Sequence, residues 1–161
     1  MEKHKLIEED LVFISNQTSV DAIFDEISQQ LFQAEVVSED FCQHLKEREA
    51  NFPTGLDLTP LFGDVLGIAV PHTETQYVRV KKVIPIKLNQ VIEIHNMIQP
   101  DETLKINFMF MILNDDPSGQ ADILARIMEG IGQSTKETID NINQLQTNQD
   151  VYKFAKKILG E

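Results

Sequence analysis

Tryptophan is absent from the 161 residues, and cysteine occurs once, at Cys42. A lone thiol excludes an intrachain disulfide and a cysteine-built metal site. It fits a reducing compartment. Basic residues are scarce: 14 Lys and Arg stand against 26 Asp and Glu, a formal charge of −12. That balance argues against nucleic-acid binding, which needs cations on phosphates, and against docking on an anionic membrane. Apolar runs are short. None nears the roughly 20 residues that span a bilayer, and the N-terminal MEKHKLIEED has no apolar stretch of signal-peptide length. Internal repeats and low-complexity stretches are also missing. The expectation is a cytoplasmic protein with no membrane insertion and no nucleic-acid partner.

What is present is an ordinary globular composition, 42% hydrophobic and 25% charged. The length suits a single domain over residues 1–161, and a chain this size buries roughly 70% of its unfolded surface. Leu11 to Ile14 reads as a short strand. Thr18-Ser-Val-Asp starts a helix whose apolar face is Ile23, Phe24, Ile27, Leu31 and Phe32. Ser38 opens a second helix carrying Phe41, Cys42 and Leu45. It ends near Ala50, because Pro53 disfavours helical geometry at Phe52. Ile68 to His72 is a short apolar strand. Val80 to Leu88 is a strand interrupted by Pro85, which predicts an edge or a bulge, and Val91 to Ile94 is another short strand. Leu104 to Leu113 is apolar on both faces, so it should be central and covered on both sides. Three helices follow, near 119–132, 135–145 and 149–159. The predicted fold is α/β: a small mixed β-sheet of about five strands with helices packed on both faces.

Few residues offer chemistry. His4 lies in a polar tail, His44 on a polar helix face and His95 near a surface turn. None has a neighbour at ligand spacing, so no metal site is expected. Cys42, Met109, Met111 and Met128 fall on apolar patterns and read as core. His72 differs, because it ends a buried strand, where open α/β sheets gather ligands. A neutral imidazole there is a nucleophile at physiological pH. By spacing alone the commoner reading is a strand-end histidine satisfied by a backbone carbonyl. Arg48 is a solvated helix-end charge or an anion clamp, since a guanidinium fork suits phosphate oxygens.

Taken together, REANFPTGLDL (Arg48 to Leu58) and GIAVPHTE (Gly67 to Glu74) resemble the enzyme IIA domain of bacterial sugar phosphotransferase systems. The resemblance is to the fructose/mannitol family and is greatest to its galactitol-type branch. It implies a phosphoryl relay without metal or organic cofactor. A histidine matching His72 accepts a phosphoryl group from the histidine-containing phosphocarrier protein. It passes the group to a cysteine of enzyme IIB, which serves the membrane component, enzyme IIC. The family's arginine matches Arg48. Mannitol and fructose relatives carry a second histidine after the central strand, where Asp116-Pro-Ser-Gly leads here to Gln120. Glutamine can donate to phosphate but cannot titrate. Thr54 and Thr73 are expected as further neutral phosphate donors. Phe52, Leu56, Leu61 and Phe62 are expected to rim the docking face, with the excess carboxylates mostly elsewhere. The alternative is a free-standing regulatory phosphoprotein of the same fold.

Overall fold

The computed structural model describes residues 5–161, so His4 lies outside the described residues. The chain runs β1 (Phe13–Ser15), α1 (Val20–Gln33), α2 (Phe41–Asn51), β2 (Gly55–Leu56), α3 (Thr59–Phe62) and β3 (Gly67–Ala69). A 3₁₀ turn at Thr75–Tyr77 leads to β4 (Lys82–His95) and β5 (Thr103–Leu113). Then come α4 (Gln120–Gly132), α5 (Lys136–Asp140), a 3₁₀ turn (Asn141–Gln144) and α6 (Asn148–Leu159). The five strands make one mixed sheet in the order β1-β4-β5-β3-β2. The pairs β1–β4 and β3–β5 are parallel, while β4–β5 and β2–β3 are antiparallel.

β5 is the middle strand, as its two-sided apolar pattern predicts. Phe108, Phe110 and Ile112 join one core cluster, with residues of α4, α5 and α6. Met109, Met111 and Leu113 join the other, with residues of α1 and α2. Alternation of side chains along a strand accounts for this division. Helices therefore cover both faces, and the α/β expectation holds.

β4 corrects the expected pair of short strands. It is continuous, with a register irregularity between Lys87 and Ile92. That is where the apolar pattern breaks at Asn89 and Gln90, both exposed. Pro85 sits neither at a sheet edge nor at this irregularity, because it pairs with Phe110 in the interior strand. Val83 gives its N–H to Leu6 O at 2.9 Å, away from β5. Pro85 follows two residues later and turns its nitrogen the same way, just before β1 begins pairing at Ile86. Its missing donor thus breaks no rung of the β4–β5 ladder.

Helix ends follow side-chain chemistry. Ser19 caps α1 by accepting from Ala22 N, and Thr147 with Asp150 forms a reciprocal capping box on α6. α2 starts at Phe41, three residues after the expected Ser38, whose carbonyl instead accepts Phe41 N. Met109 and Met111 are fully buried, whereas Met128 is about half exposed, contrary to its core assignment. Helical spacing placed Met128 beside the apolar stripe, but its side chain lies at an open groove with Leu61 and Ile98 rather than in the core. Cys42 is half-buried, with Sγ 3.6 Å from Phe24 O. Burial pushes its thiol up, so it is a weak nucleophile.

Candidate functional site

β3 and β5 run parallel, so their C-terminal ends lie together. Beyond β3 the chain stays against β5: Ile112 N donates to Pro71 O, and His72 bridges Ile112. This holds the His72 backbone at the carboxyl edge of the sheet. Its Nδ1 lies 2.9 Å from Val70 O. A carbonyl only accepts, so Nδ1 carries the proton and Nε2 keeps its lone pair. Burial is the main influence lowering the His72 pKa, with Arg48 acting the same way. The Val70 contact and Glu74 oppose them. The net result is a neutral imidazole near pH 7.

Arg48 comes from the last turn of α2, where a cation suits the negative end of the helix. Its Nη1 donates to Glu74 Oε1 at 3.1 Å, and its guanidinium lies 4.6 Å from the Phe52 ring centre. Phe52 is 60% exposed, so the guanidinium rests on a surface aromatic. Arg48 Nε is buried and makes no hydrogen bond. Glu74 is thus a carboxylate on the His72 side of the molecule, already held by a cation. Its pKa is lowered by its own backbone N–H and by Arg48.

Gln120 opens α4, whose N-cap, Gly119, brings no side-chain cap. Asn114 follows β5 and donates from Nδ2 to Gln120 Oε1 at 3.2 Å and to Asp116 O at 2.7 Å. Gln120 is thereby fixed with its Nε2 buried and unpaired. Asn114 lies two residues beyond Ile112, the partner of His72. The sheet therefore brings His72 and Gln120 to one end, with Arg48 close enough to act on the imidazole.

Thr54 and Thr73, the further donors expected, each direct the hydroxyl proton to an internal partner in this structure. Thr54 Oγ1 donates to Glu49 Oε1 at 2.7 Å, and Thr73 Oγ1 to Glu74 O at 2.8 Å. The four apolar residues expected as a rim also separate. Leu56 is buried in β2, and Phe62 is half-buried against the core. Leu61 is 60% exposed but lines a groove of about 360 Å³ with Met97, Ile98 and Met128. None of His72, Arg48 and Gln120 lines that groove. Of the four, Phe52 lies against Arg48.

Two participants escaped the sequence reading. Asn114 is a buried polar residue directly after an apolar strand, which is the signal that could have revealed it. Glu49 is 9% exposed and accepts from both Thr54 N (2.8 Å) and Thr54 Oγ1. Its signal was its place beside Arg48 in a helix otherwise ending in solvent. Among the described residues, no group of three His, Cys, Asp or Glu side chains could hold a metal ion. No helix among them is long and apolar enough to cross a membrane.

The architecture has solved counterparts. The IIA mannitol chain in a complex with phosphorylated enzyme IIB from Escherichia coli superposes with a TM-score of 0.71 at 15% identity, covering 98% of this chain and 99% of that one. The crystal structure of IIA mannitol from Escherichia coli gives 0.66 at 14% identity, covering 92% and 97%. The nitrogen regulatory protein IIA-Ntr from Neisseria meningitidis gives 0.63 at 16% identity, covering 92% and 95%. At such identities the likeness establishes the fold. The sequence model for EIIA 2 of the phosphoenolpyruvate-dependent sugar phosphotransferase system matches residues 5–158. The chain therefore belongs to that family. No curated protein sequence matches it.

Proposed function

We propose that this protein is the phosphoryl-carrier subunit of a sugar or polyol uptake system of the galactitol-type branch. His72 is its phosphorylated residue. The observation that carries this reading is the Nδ1 contact with Val70 O, which leaves Nε2 as the nucleophile at the carboxyl edge of the sheet. The FPTGL and VPHT spellings, with glutamine at position 120, support the branch.

In the first step Nε2 attacks the phosphorus carried by the histidine-containing phosphocarrier protein. The new N–P bond forms as the donor's N–P bond breaks, and the proton stays on Nδ1, donated to Val70 O. Phosphoryl transfer depends on positioning and charge stabilisation. Arg48 moves from Glu74 to the phosphoryl oxygens, and Nε2 of Gln120 supplies a neutral donor. In the second step a cysteine thiolate of enzyme IIB attacks the same phosphorus, and His72 leaves as neutral imidazole. Enzyme IIB then gives the phosphoryl group to a hydroxyl of the sugar entering through enzyme IIC, and this subunit need not touch the sugar. No metal or cofactor enters either step.

The test is incubation with phosphoenolpyruvate and the general phosphotransferase components. Intact mass should rise by one phosphoryl group, and His72→Ala should abolish the rise. An unchanged wild-type mass with an active donor refutes the proposal. Transfer onward to a galactitol-type IIB, but not a mannitol-type one, tests the branch. The fold shared with IIA-Ntr favours one second reading, a regulatory phosphoprotein. Phosphate-dependent binding to a non-transport protein, with no transfer to any IIB, would select it.

A further inference from the structure

Glu49 takes no part in the transfer scheme, yet it is a buried acid one residue from Arg48. Its carboxylate accepts both donors of one residue, Thr54 N at 2.8 Å and Thr54 Oγ1 at 2.7 Å. From there the contacts continue inward. Thr54 O accepts Val70 N at 3.2 Å, and Val70 O accepts His72 Nδ1 at 2.9 Å. Three successive contacts thus join the end of α2 to the imidazole. Each link fixes the next backbone unit, so the carbonyl that sets the tautomer of His72 is aimed from Glu49.

We infer that Glu49 is a positioning residue, which holds the Phe52–Thr54 turn against β3 and thereby keeps His72 in the tautomer with Nε2 free. The inference rests on His72 being the phosphorylated residue, although its structural half does not. An ionised carboxylate is an acceptor at both oxygens and suits two converging donors. A glutamine of the same size can accept from Thr54 N, but it must reverse the second contact by donating to the Thr54 hydroxyl and it removes the charge that strengthens both, so the pair is weakened. Arg48 leaves the same helical turn, so a loosened turn also frees the clamp. A residue that only filled space would not distinguish carboxylate from amide.

The test compares wild type, Glu49→Gln and Thr54→Val, using nitrogen-15 NMR of the His72 ring and single-turnover phosphorylation. Wild type should show protonated Nδ1 and unprotonated Nε2. Glu49→Gln should mix the two tautomers and slow phosphoryl acceptance roughly tenfold, as weakening of one charge-assisted hydrogen bond by about 1.4 kcal/mol would do. Thr54→Val removes one of the two donors and keeps the volume, so it should move both readouts the same way by less. If Glu49→Gln does not fold, Thr54→Val decides. Wild-type tautomer and rate in every variant that folds overturn the inference. The ring spectrum reports on Glu49 even if the wild type accepts no phosphoryl group, so failure of the transfer reading and failure of this one remain separable.

Discussion

At the scale of single residues, the site opposes two charges around one half-buried imidazole. Burial and Arg48 lower the His72 pKa, while the Val70 contact and Glu74 raise it. Phosphoryl acceptance needs the neutral ring, so the acid limb of its pH–rate profile should fall at a pH below the ordinary histidine value of about 6.5. Glu74→Gln should move that limb lower still, and Arg48→Ala should move it up. Arg48→Ala should also slow transfer at neutral pH by about a hundredfold, the usual loss when one strong transition-state donor is removed. Stopped-flow phosphorylation between pH 5 and about 8 reads both effects, a range chosen to bracket histidine titration. An unmoved limb in both variants would deny these charges any part in tuning the ring. His72 and Arg48 were legible because each ends an element inside a short motif. Glu49 and Asn114 were not, because their partners include backbone groups such as Thr54 N and Asp116 O, which no side-chain pattern displays.

At the scale of elements, close packing leaves narrow margins. A Cβ at Gly130 would lie 1.8 Å from Ile158 O, so glycine there lets α4 and α6 approach. Gly130→Ala should therefore destabilise the fold by about 1–3 kcal/mol through overpacking, despite the better helix propensity of alanine. Urea denaturation measures this, and unchanged stability would mean that the two helices separate freely. Gly55 has the same role at the sheet edge. An added Cβ would meet His95 O at 2.5 Å, and Met97 N reaches Gly55 O at 2.8 Å. Periodicity revealed α1, α4, α6 and β5 because each buries a long regular stripe. It divided β4 in two because the ladder continues through a register irregularity that exposes polar residues. It reached β2 and β3 poorly, since two or three residues hold too little pattern to define a strand.

For the whole molecule, the exposed apolar side chains are dispersed, with Phe32 and Val91 standing apart from two regions that matter here. Phe52 stands beside Arg48, whereas Leu61, Ile98 and Met128 edge the groove between α3, α4 and the β4–β5 turn. Only the first region adjoins the proposed transfer site. Phe52→Ser should raise the KM for the phosphorylated carrier several-fold. Ile98→Ser and Met128→Ser should leave that KM unchanged. The reverse result would move the docking face to the groove. Sequence reasoning merged these regions because proximity along the chain, from Phe52 to Phe62, does not reveal which side of the sheet a residue occupies.

The parallel pairs in the sheet also bear on how quickly the molecule assembles. β4 and β5 are joined by a short turn, so their ladder closes at little entropic cost. β1 must instead find β4 across most of the intervening chain, since Phe13 pairs with Ile86. The hairpin is therefore the favoured folding nucleus, with the outer strands and α6 consolidating afterwards. Ile84→Val, within the hairpin, should mainly slow refolding, and Ile158→Val in α6 should mainly speed unfolding. Chevron plots of the two variants distinguish this order from its reverse. The central strand that aligns the proposed phosphoryl site is then in place before the helices that complete it arrive.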